Sequence, residues 1–507
     1  MNQDINKQTS KSVVRNVIYG SLTWILPLGL SFAATPIIVR SLGNNDYGIY
    51  ALILGFISYS FTFNFGRAIT KYIAEYRVSG ESEKIRDVIS ASFFLNIVIG
   101  LIGVLVMCLL ANWLVVVVFN IAPQDQDKTV SAIYIASVVI FLWMLSQIFT
   151  SVLQGIQRFD VYSRIFTANS FVLISGNLLL AYFGYGLLAL LSWNIVVLAV
   201  FFVVFGLAAK KLLPEFGISF RFKREALRLV VRYSSAIVAY QILANILLLF
   251  ERGWIMQRLG SESLTYYVVP MSLGLYLHGF ISSLVQVVFP LASELKNEPE
   301  KLLRLYTKAT KVICMVVAFV VASAAIQSKL FLYLWMGEAF AEQSSTLLIL
   351  HITCFGMLSI VTISWQMTEG LGFPQFNALM AGICSAICIT LMIVLTNDYG
   401  NFGIATARLI GFAAFFFSIF IVEKWFFKQI QMRFWFSLTT NLVIAAASAA
   451  VIEYIVVSFL PSIWPTFIIS VFLGGAVYCF VLWLLKFVTD DDKLLIRGIF
   501  ARSNVTN

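Results

Sequence analysis

Glu251 and Arg252 stand side by side in the run LLLFERGWIM, at the end of about fifteen residues that are almost wholly apolar. Neighbours on a helix point about 100° apart, so the two charges cannot cancel one another. Each requires a partner on another helix or water. An arginine in such a place suits an anion, because its planar fork binds phosphate or carboxylate oxygens bidentately and does not deprotonate. The glutamate beside it can orient a neighbouring cation or exchange a proton. A structural pair between helices and a side chain reaching to the surface are the plainer readings.

Eight more ionisable residues stand in or at the ends of apolar stretches. Arg67 and Lys71 close an apolar stretch and are placed to admit an anionic head group, although positive charge is expected at such an end in any case. Arg40 ends another stretch, as do Arg258 and Lys329, where a long cationic side chain can snorkel to the interface. Arg408 lies about five residues inside a stretch, and His278 near the middle of one. A histidine there can titrate near neutrality, but a lone histidine in a bundle is more often a hydrogen-bonded packing residue. Glu453 stands apart in the penultimate apolar stretch, with helix 14 or a lipid head group as its expected partner.

The elements that position these residues follow from composition. The 507 residues are 60% hydrophobic and 12% charged, against roughly 25% charged in soluble domains, and the mean hydropathy is +0.89. An all-α polytopic membrane protein is the expected class. A helix needs about 20 apolar residues to cross roughly 30 Å of hydrocarbon. Such stretches fall near 17–39, 48–66, 89–118, 130–153, 165–183, 187–209, 233–258, 264–290, 309–334, 344–368, 376–396, 403–422, 436–459 and 464–485, which makes fourteen.

With the N-terminus in the cytoplasm, 29 of the 35 Lys and Arg fall on the cytoplasmic side. This bias predicts that both termini are cytoplasmic. It also accounts for the net charge of +10 without nucleic acid. The basic segment KKLLPEFGISFRFKREALRLVVR is expected to lie on the membrane surface, facing anionic lipid. No small-residue cleavage site precedes the first stretch, so helix 1 is expected to remain as an anchor. The six cysteines lack metal-type spacing and are read as core or lipid-facing residues. No cofactor motif is present, and no cofactor is expected.

The chain also repeats itself. An offset of 217 places VVRN (from Val13) over VVRY (from Val230), SLGNNDYGIY over RLGSESLTYY, and YGLLA over FGIAT. A near-equal spacing relates LQGIQRF at 153 to TEGLGFP at 368. The matched letters are largely Gly, Arg and Tyr, which shared apolar composition does not supply. Helices 1–6 and 7–12 are therefore expected to be two six-helix lobes related by an axis along the membrane normal. The expected limits are 1–209 for the first lobe, 210–232 for a basic linker, 233–425 for the second lobe, and 426–507 for helices 13 and 14 with the tail.

Several segments resemble the bacterial polysaccharide-unit flippases of the multidrug, oligosaccharidyl-lipid and polysaccharide exporter superfamily. They are SLGNNDYGIYAL, KYIAEYRVSGE, LQGIQRFDVYSR, FERGWIMQRLGSESLTYYVVP and VVFPLASELKNEPEKLLRLYTKATK, in that order along the first twelve helices. The resemblance implies an alternating-access flippase for a polyprenyl-pyrophosphate-linked oligosaccharide, of the kind that builds O-antigen or capsule at the bacterial inner membrane. It implies a cationic cavity, a basic residue at Lys71, and an acid followed by Arg at Glu251 and Arg252. Relatives with a denser set of arginines in helix 1 are not matched, since Arg40 at its end is the only one after Val17. Membrane lipids, a proton or sodium ion for coupling, a polysaccharide polymerase and a chain-length regulator are the implied partners.

Other classes fit less well. A multidrug or cation antiporter of the same superfamily would want an acid in an apolar pocket, yet helix 1 has no Asp or Glu between Val17 and Val39. A lipid II-type precursor flippase remains an alternative. A membrane polymerase or ligase would need catalytic groups in a sizeable outer loop. The longest such connection, around IAPQDQDKTV, is about ten residues, and the chain has two His in all. Enzymatic chemistry is therefore not expected.

Overall fold

The computed structural model describes the backbone at residues 2–60, 66–219, 223–285, 288, 292 and 295–487. Side chains are described from residue 26 onward within those limits, except at 57–60, 67, 78, 233, 235–244, 374 and the isolated masked positions between 286 and 294. Among the described residues the regular structure is all helical, in the order α1 (Asn2–Ser60), α2 (Gly66–Ser79), α3 (Ser82–Trp113), α4 (Gln126–Gly155), α5 (Phe159–Tyr182), α6 (Leu187–Leu212), α7 (Arg224–Val285), α8 (Pro299–Met336), α9 (Glu338–Gly370), α10 (Pro374–Phe427), α11 (Met432–Phe459) and α12 (Trp464–Leu484). A π-helical turn, Leu114–Val118, extends α3, and a 3-10 turn, Pro123–Asp125, opens α4.

Eleven of these stretches are long and apolar enough to cross a membrane. Three of them are broken by one glycine each, α1 at Gly43, α7 at Gly260 and α10 at Gly400. Counting the arms on both sides of each break gives fourteen helical arms among the described residues, against the fourteen stretches read from the sequence. The distribution of side chains fits lipid rather than water as the surroundings. Leu109, Phe459 and Phe472 are more than 70% exposed, while Asn96, Asn194, Glu251, Arg408 and Glu453 are buried.

The backbone carries the repeat more plainly than the letters do. Gly43 (φ 76°) and Gly260 (φ 84°) are 217 residues apart and break their helices in the same conformation, with ψ of 160° and 176°. Asn120 (φ 49°) and Gly337 (φ 106°) are again 217 apart, and Gln157 (φ 60°) and Gly372 (φ 92°) are 215 apart. At the last pair the hydrogen bonds coincide. Arg158 N donates to Leu153 O and Gln157 N to Gln154 O, as Phe373 N does to Thr368 O and Gly372 N to Glu369 O. These are helix C-caps in which one residue turns left-handed to satisfy the last carbonyls. The positions at which a chain must leave the helix are thus duplicated along with the sequence.

The chain divides into two compact units, Met1–Thr265 and Tyr266–Asn507. In the first, Ile69, Ile73, Ile85, Ile89, Ile148 and Val152 build a core that Phe205 and Ala209 of α6 complete. Gly155 allows α4 to approach α2 closely: a Cβ there would stand 3.1 Å from Ile73 and 3.2 Å from Thr70 O. In the second, Leu438, Leu442, Ala445 and Ala449 of α11 pack with Tyr478 and Leu482 of α12 and Cys314 of α8. All six cysteines are free, four of them buried. The limit at Thr265 falls five residues beyond Gly260, and a local bond explains it: Thr265 is bonded to α1, in the first unit.

Candidate functional site

The two copies of the break meet each other. Thr265 Oγ1 donates to Asn44 O at 2.6 Å, and Ser261 Oγ donates to Asn45 Oδ1. Gly48 lies directly against the Ser261 backbone, so that a Cβ at 48 would stand 2.6 Å from the Ser261 carbonyl carbon. Only glycine permits that approach, because backbone cannot swing aside as a side chain can. SLGNNDYGIY and RLGSESLTYY, related in sequence by duplication, are therefore one contact in space.

Arg252 lies further along the same pair of helices. Its Nη1 donates to Ala51 O, and the guanidinium and Cδ lie over Gly55, where a Cβ would come within 2.5 Å to 2.9 Å of them. Arg252 is 7% exposed and Glu251 wholly buried. Two glycines one helical side apart, Gly48 and Gly55, thus hold α7 and its arginine against α1. Beside this contact, Phe250 stacks on Trp254 at 5.5 Å and Arg258 lies over the Trp254 ring at 4.6 Å with its side chain exposed.

An ion-paired cluster braces the outer rim of the contact. Asn45 Nδ2 donates to Asp125 Oδ2 at 3.0 Å, and Lys128 Nζ bridges Asp125 at 2.9 Å and Asp46 at 2.5 Å. Asp125 ends the 3-10 turn and its carbonyl accepts from Thr129 Oγ1 at 2.7 Å. The carboxylates hold Asn45 in the orientation that meets Ser261, so α1, α4 and α7 are tied through one asparagine. Lys128 is one of the six Lys and Arg that the expected topology leaves outside the cytoplasmic set. The signal for its role was there in SLGNND, where Asn45 and Asp46 directly follow the glycine break.

The remaining candidates are placed as follows. Arg40 is exposed at the end of the first arm of α1, and Lys71 is exposed on α2 with its Nζ 5.0 Å from the Tyr72 ring. The Arg67 side chain lies outside the described residues. His278, in the second unit, has Ser359 Oγ 3.1 Å from Nδ1 and Ser282 Oγ 3.3 Å from Nε2. Arg408 is 1% exposed, its guanidinium 5.4 Å from the Phe355 ring and 5.7 Å from that of Phe412. Phe355 and Phe412 meet edge to face at 6.1 Å, and the pair attracts the desolvated arginine beside it through the quadrupoles of the rings.

Two groups of the second unit were not read from the sequence as sites. His351 is buried, its ring edge-on to Tyr267 at 4.6 Å. Glu423 is wholly buried at the end of α10 and accepts from Tyr306 Oη at 2.8 Å, Trp435 Nε1 at 2.6 Å and Gln431 N at 2.8 Å, joining α8, α10 and α11. The spacing of Glu423 announces nothing, because Gln431 and Trp435 reach it only through the turn between α10 and α11, and Tyr306 stands 117 residues earlier. Among the described residues no group of three His, Cys, Asp or Glu is placed to hold a metal ion.

Comparison with known proteins gives this arrangement a context. A family model described as "Polysaccharide biosynthesis protein" matches residues 37–345, more than half of the chain. A Shigella flexneri protein named "Putative O-antigen transporter" is 18% identical over 396 residues, covering 78% of this chain and 93% of its own. Among solved structures, the lipid II flippase MurJ superposes with a TM-score of 0.74 at 15% identity, covering 92% of this chain and 98% of its own. A multidrug resistance transporter of the MATE family superposes with a TM-score of 0.62 at 14% identity, covering 80% and 94%. These relatives are transporters and flippases by name, not catalysts, and the fold is that of the multidrug, oligosaccharidyl-lipid and polysaccharide exporter superfamily. The chain is a multi-pass membrane protein of the polysaccharide biosynthesis protein family.

Proposed function

We propose that this chain is an alternating-access flippase that moves a polyprenyl-pyrophosphate-linked oligosaccharide repeat unit from the cytoplasmic to the outer leaflet of the bacterial inner membrane. The observation that carries this reading is the contact of the duplicated breaks, Asn44–Gly48 against Ser261–Thr265, with Arg252 beside it. A contact made of a few hydrogen bonds and one close backbone approach can open and close as a unit. An arginine next to it changes from bonding Ala51 O to facing a path when it opens. The diphosphate of a lipid-linked sugar is the anion such a fork suits.

In this reading Arg252 holds the diphosphate or acidic sugars, Glu251 orients a neighbouring cation, and Arg40, Arg67, Lys71, Arg408 and His278 belong to the path. Lobes at 1–209 and 233–425 move about the basic 210–232 linker, and both termini lie in the cytoplasm. The coupling ion is a proton or sodium, and a polymerase and chain-length regulator take the product. The test is deletion of the gene. Loss of surface polysaccharide with unchanged sensitivity to cationic dyes supports the reading. Normal surface glycan with raised dye sensitivity replaces it by the multidrug antiporter, and loss of peptidoglycan precursor transfer replaces it by a lipid II-type flippase.

A further inference from the structure

Glu453 lies on α11, outside the duplicated helices, and is wholly buried. Ser323 Oγ of α8 donates to its Oε1 at 2.7 Å, and the Gln327 amide nitrogen, one turn along α8, stands 3.3 Å from Oε2. From α12, Ser470 Oγ donates to the Glu453 carbonyl at 3.2 Å and is bonded to the Gln327 amide as well. Gly474 of α12 makes the room, since a Cβ there would stand 2.6 Å from Cγ and 2.9 Å from Cδ of Glu453. A carboxyl is thus enclosed by three helices, with a glycine set against it.

Among the described residues nothing charged faces this carboxyl. The groups that bond it are Ser323 and Gln327 from α8, both neutral, while Ser470 from α12 bonds the Glu453 backbone carbonyl. Of the other titratable groups on these helices, Tyr306 bonds Glu423, Tyr478 bonds Met315 O, Cys314 packs with Leu438 and Tyr478, and Lys329, Tyr333, Tyr454 and Cys479 are exposed; Glu300, Lys301, Arg304, Lys308 and Lys311 lie at least twelve residues before Ser323 on α8, and Arg433 twenty before Glu453 on α11. A carboxylate in such surroundings has two weak donors and no counter-charge, which is costly.

A second observation shows the site short of a donor. Gln327 is 3% exposed, and its Oε1 has no hydrogen-bond partner among the described residues. A proton on Glu453 Oε1 removes the uncompensated charge within the contacts already made: Oε1–H donates to Ser323 Oγ, whose own proton can turn to the α8 backbone, while Oε2 keeps the Gln327 amide N–H. The polar partners are too few to ligate a bare metal cation.

We propose that Glu453, with Gln327, Ser323 and Ser470, forms a proton-binding site that couples the transmembrane proton gradient to movement of α11 and α12 against α8. This rests on the reading of the chain as an ion-coupled flippase. The step is a proton transfer only: an O–H bond forms at Oε1 as a water-borne proton arrives, and breaks as the proton returns to water. When the proton leaves, the charge left behind is relieved by water entering as the helices part.

The experiment uses the purified full-length protein in liposomes and infrared difference spectra across a pH change, with surface glycan measured in cells in parallel. The expected result is a protonated-carboxyl band that titrates, disappears in E453Q and shifts in Q327L, together with loss of proton-driven glycan export by E453Q at equal protein level. A spectrum of E453Q identical to wild type overturns the proton site, as does a band displaced by sodium but not by pH. Should E453Q fail to insert, Q327L and S323A carry the test, and an unshifted band in both overturns the proposal. Export by E453Q at the wild-type rate, with unchanged dependence on the gradient, overturns the coupling. If deletion leaves surface glycan intact, the flippase reading falls instead, while the infrared result on the purified protein stands by itself.

Discussion

Gly48→Ala is the sharpest perturbation of the contact between α1 and α7. The added Cβ would stand 2.6 Å from the carbonyl carbon of Ser261 and 3.0 Å from its Cα, and nearer still to its oxygen, whereas ordinary contact begins at 3.4 Å. The helices must therefore separate by at least about 0.8 Å at this point. Forced separation of packed groups costs about 1–3 kcal/mol. It also strains the Ser261–Asn45 and Thr265–Asn44 hydrogen bonds, each worth about 0.5–1.5 kcal/mol net. A total of roughly 2–6 kcal/mol against the closed arrangement shifts its population by a factor on the order of thirty to twenty-five thousand. Ala51, 5% exposed and beneath Arg252, reports the change. Ala51→Cys should resist a membrane-impermeant thiol reagent presented to both faces of the membrane, and should react once Gly48→Ala is added. Glycan export should fall at the same time. Unchanged labelling, with export at the wild-type rate and equal protein level, would refute the idea that this close approach is what closes the path.

Arg252→Lys keeps the charge and loses the fork, so insertion should be normal and export per unit protein impaired, with Arg252→Ala more severe; export equal to wild type in the alanine variant removes Arg252 from the path. Glu423→Ala strands three donors, Tyr306 Oη, Trp435 Nε1 and Gln431 N, at about 1–3 kcal/mol for a buried unmet group, and should lower the melting temperature of the detergent-purified protein. Glu423→Gln retains an acceptor and should lose less; equal melting temperatures for all three proteins would show the carboxylate to be dispensable. Reporter fusions near 80, 220, 300 and 500 should read cytoplasmic and those near 125, 262 and 398 external, and one reversal breaks the expected orientation.

The helical class and the duplication were legible from residues alone, for a physical reason. Crossing hydrocarbon demands runs of apolar residues with every backbone group bonded within its own helix, which leaves only length and composition to be read. The sequence placed connections where the breaks lie, but their left-handed conformation, shared by Gly43 with Gly260 and by Asn120 with Gly337 at a spacing of 217 residues, came from the backbone. What composition did not contain was which helix faces which. Gly48 and Gly55 look in sequence like Gly279 and Gly382, beside which a Cβ would meet nothing within 4 Å; only packing distinguishes a glycine that admits another helix from one that does not. The same holds for the charges. Arg252 was expected to find a partner on another helix, yet that partner includes the carbonyl of Ala51, and every residue has a carbonyl. Glu453 was expected to reach helix 14 or a lipid, and it meets Ser323 and Gln327 of α8, more than 120 residues earlier, as well as Ser470. A buried charge announces that it must be satisfied, but the satisfying atom comes from a distant part of the chain and is chosen by the tertiary fold.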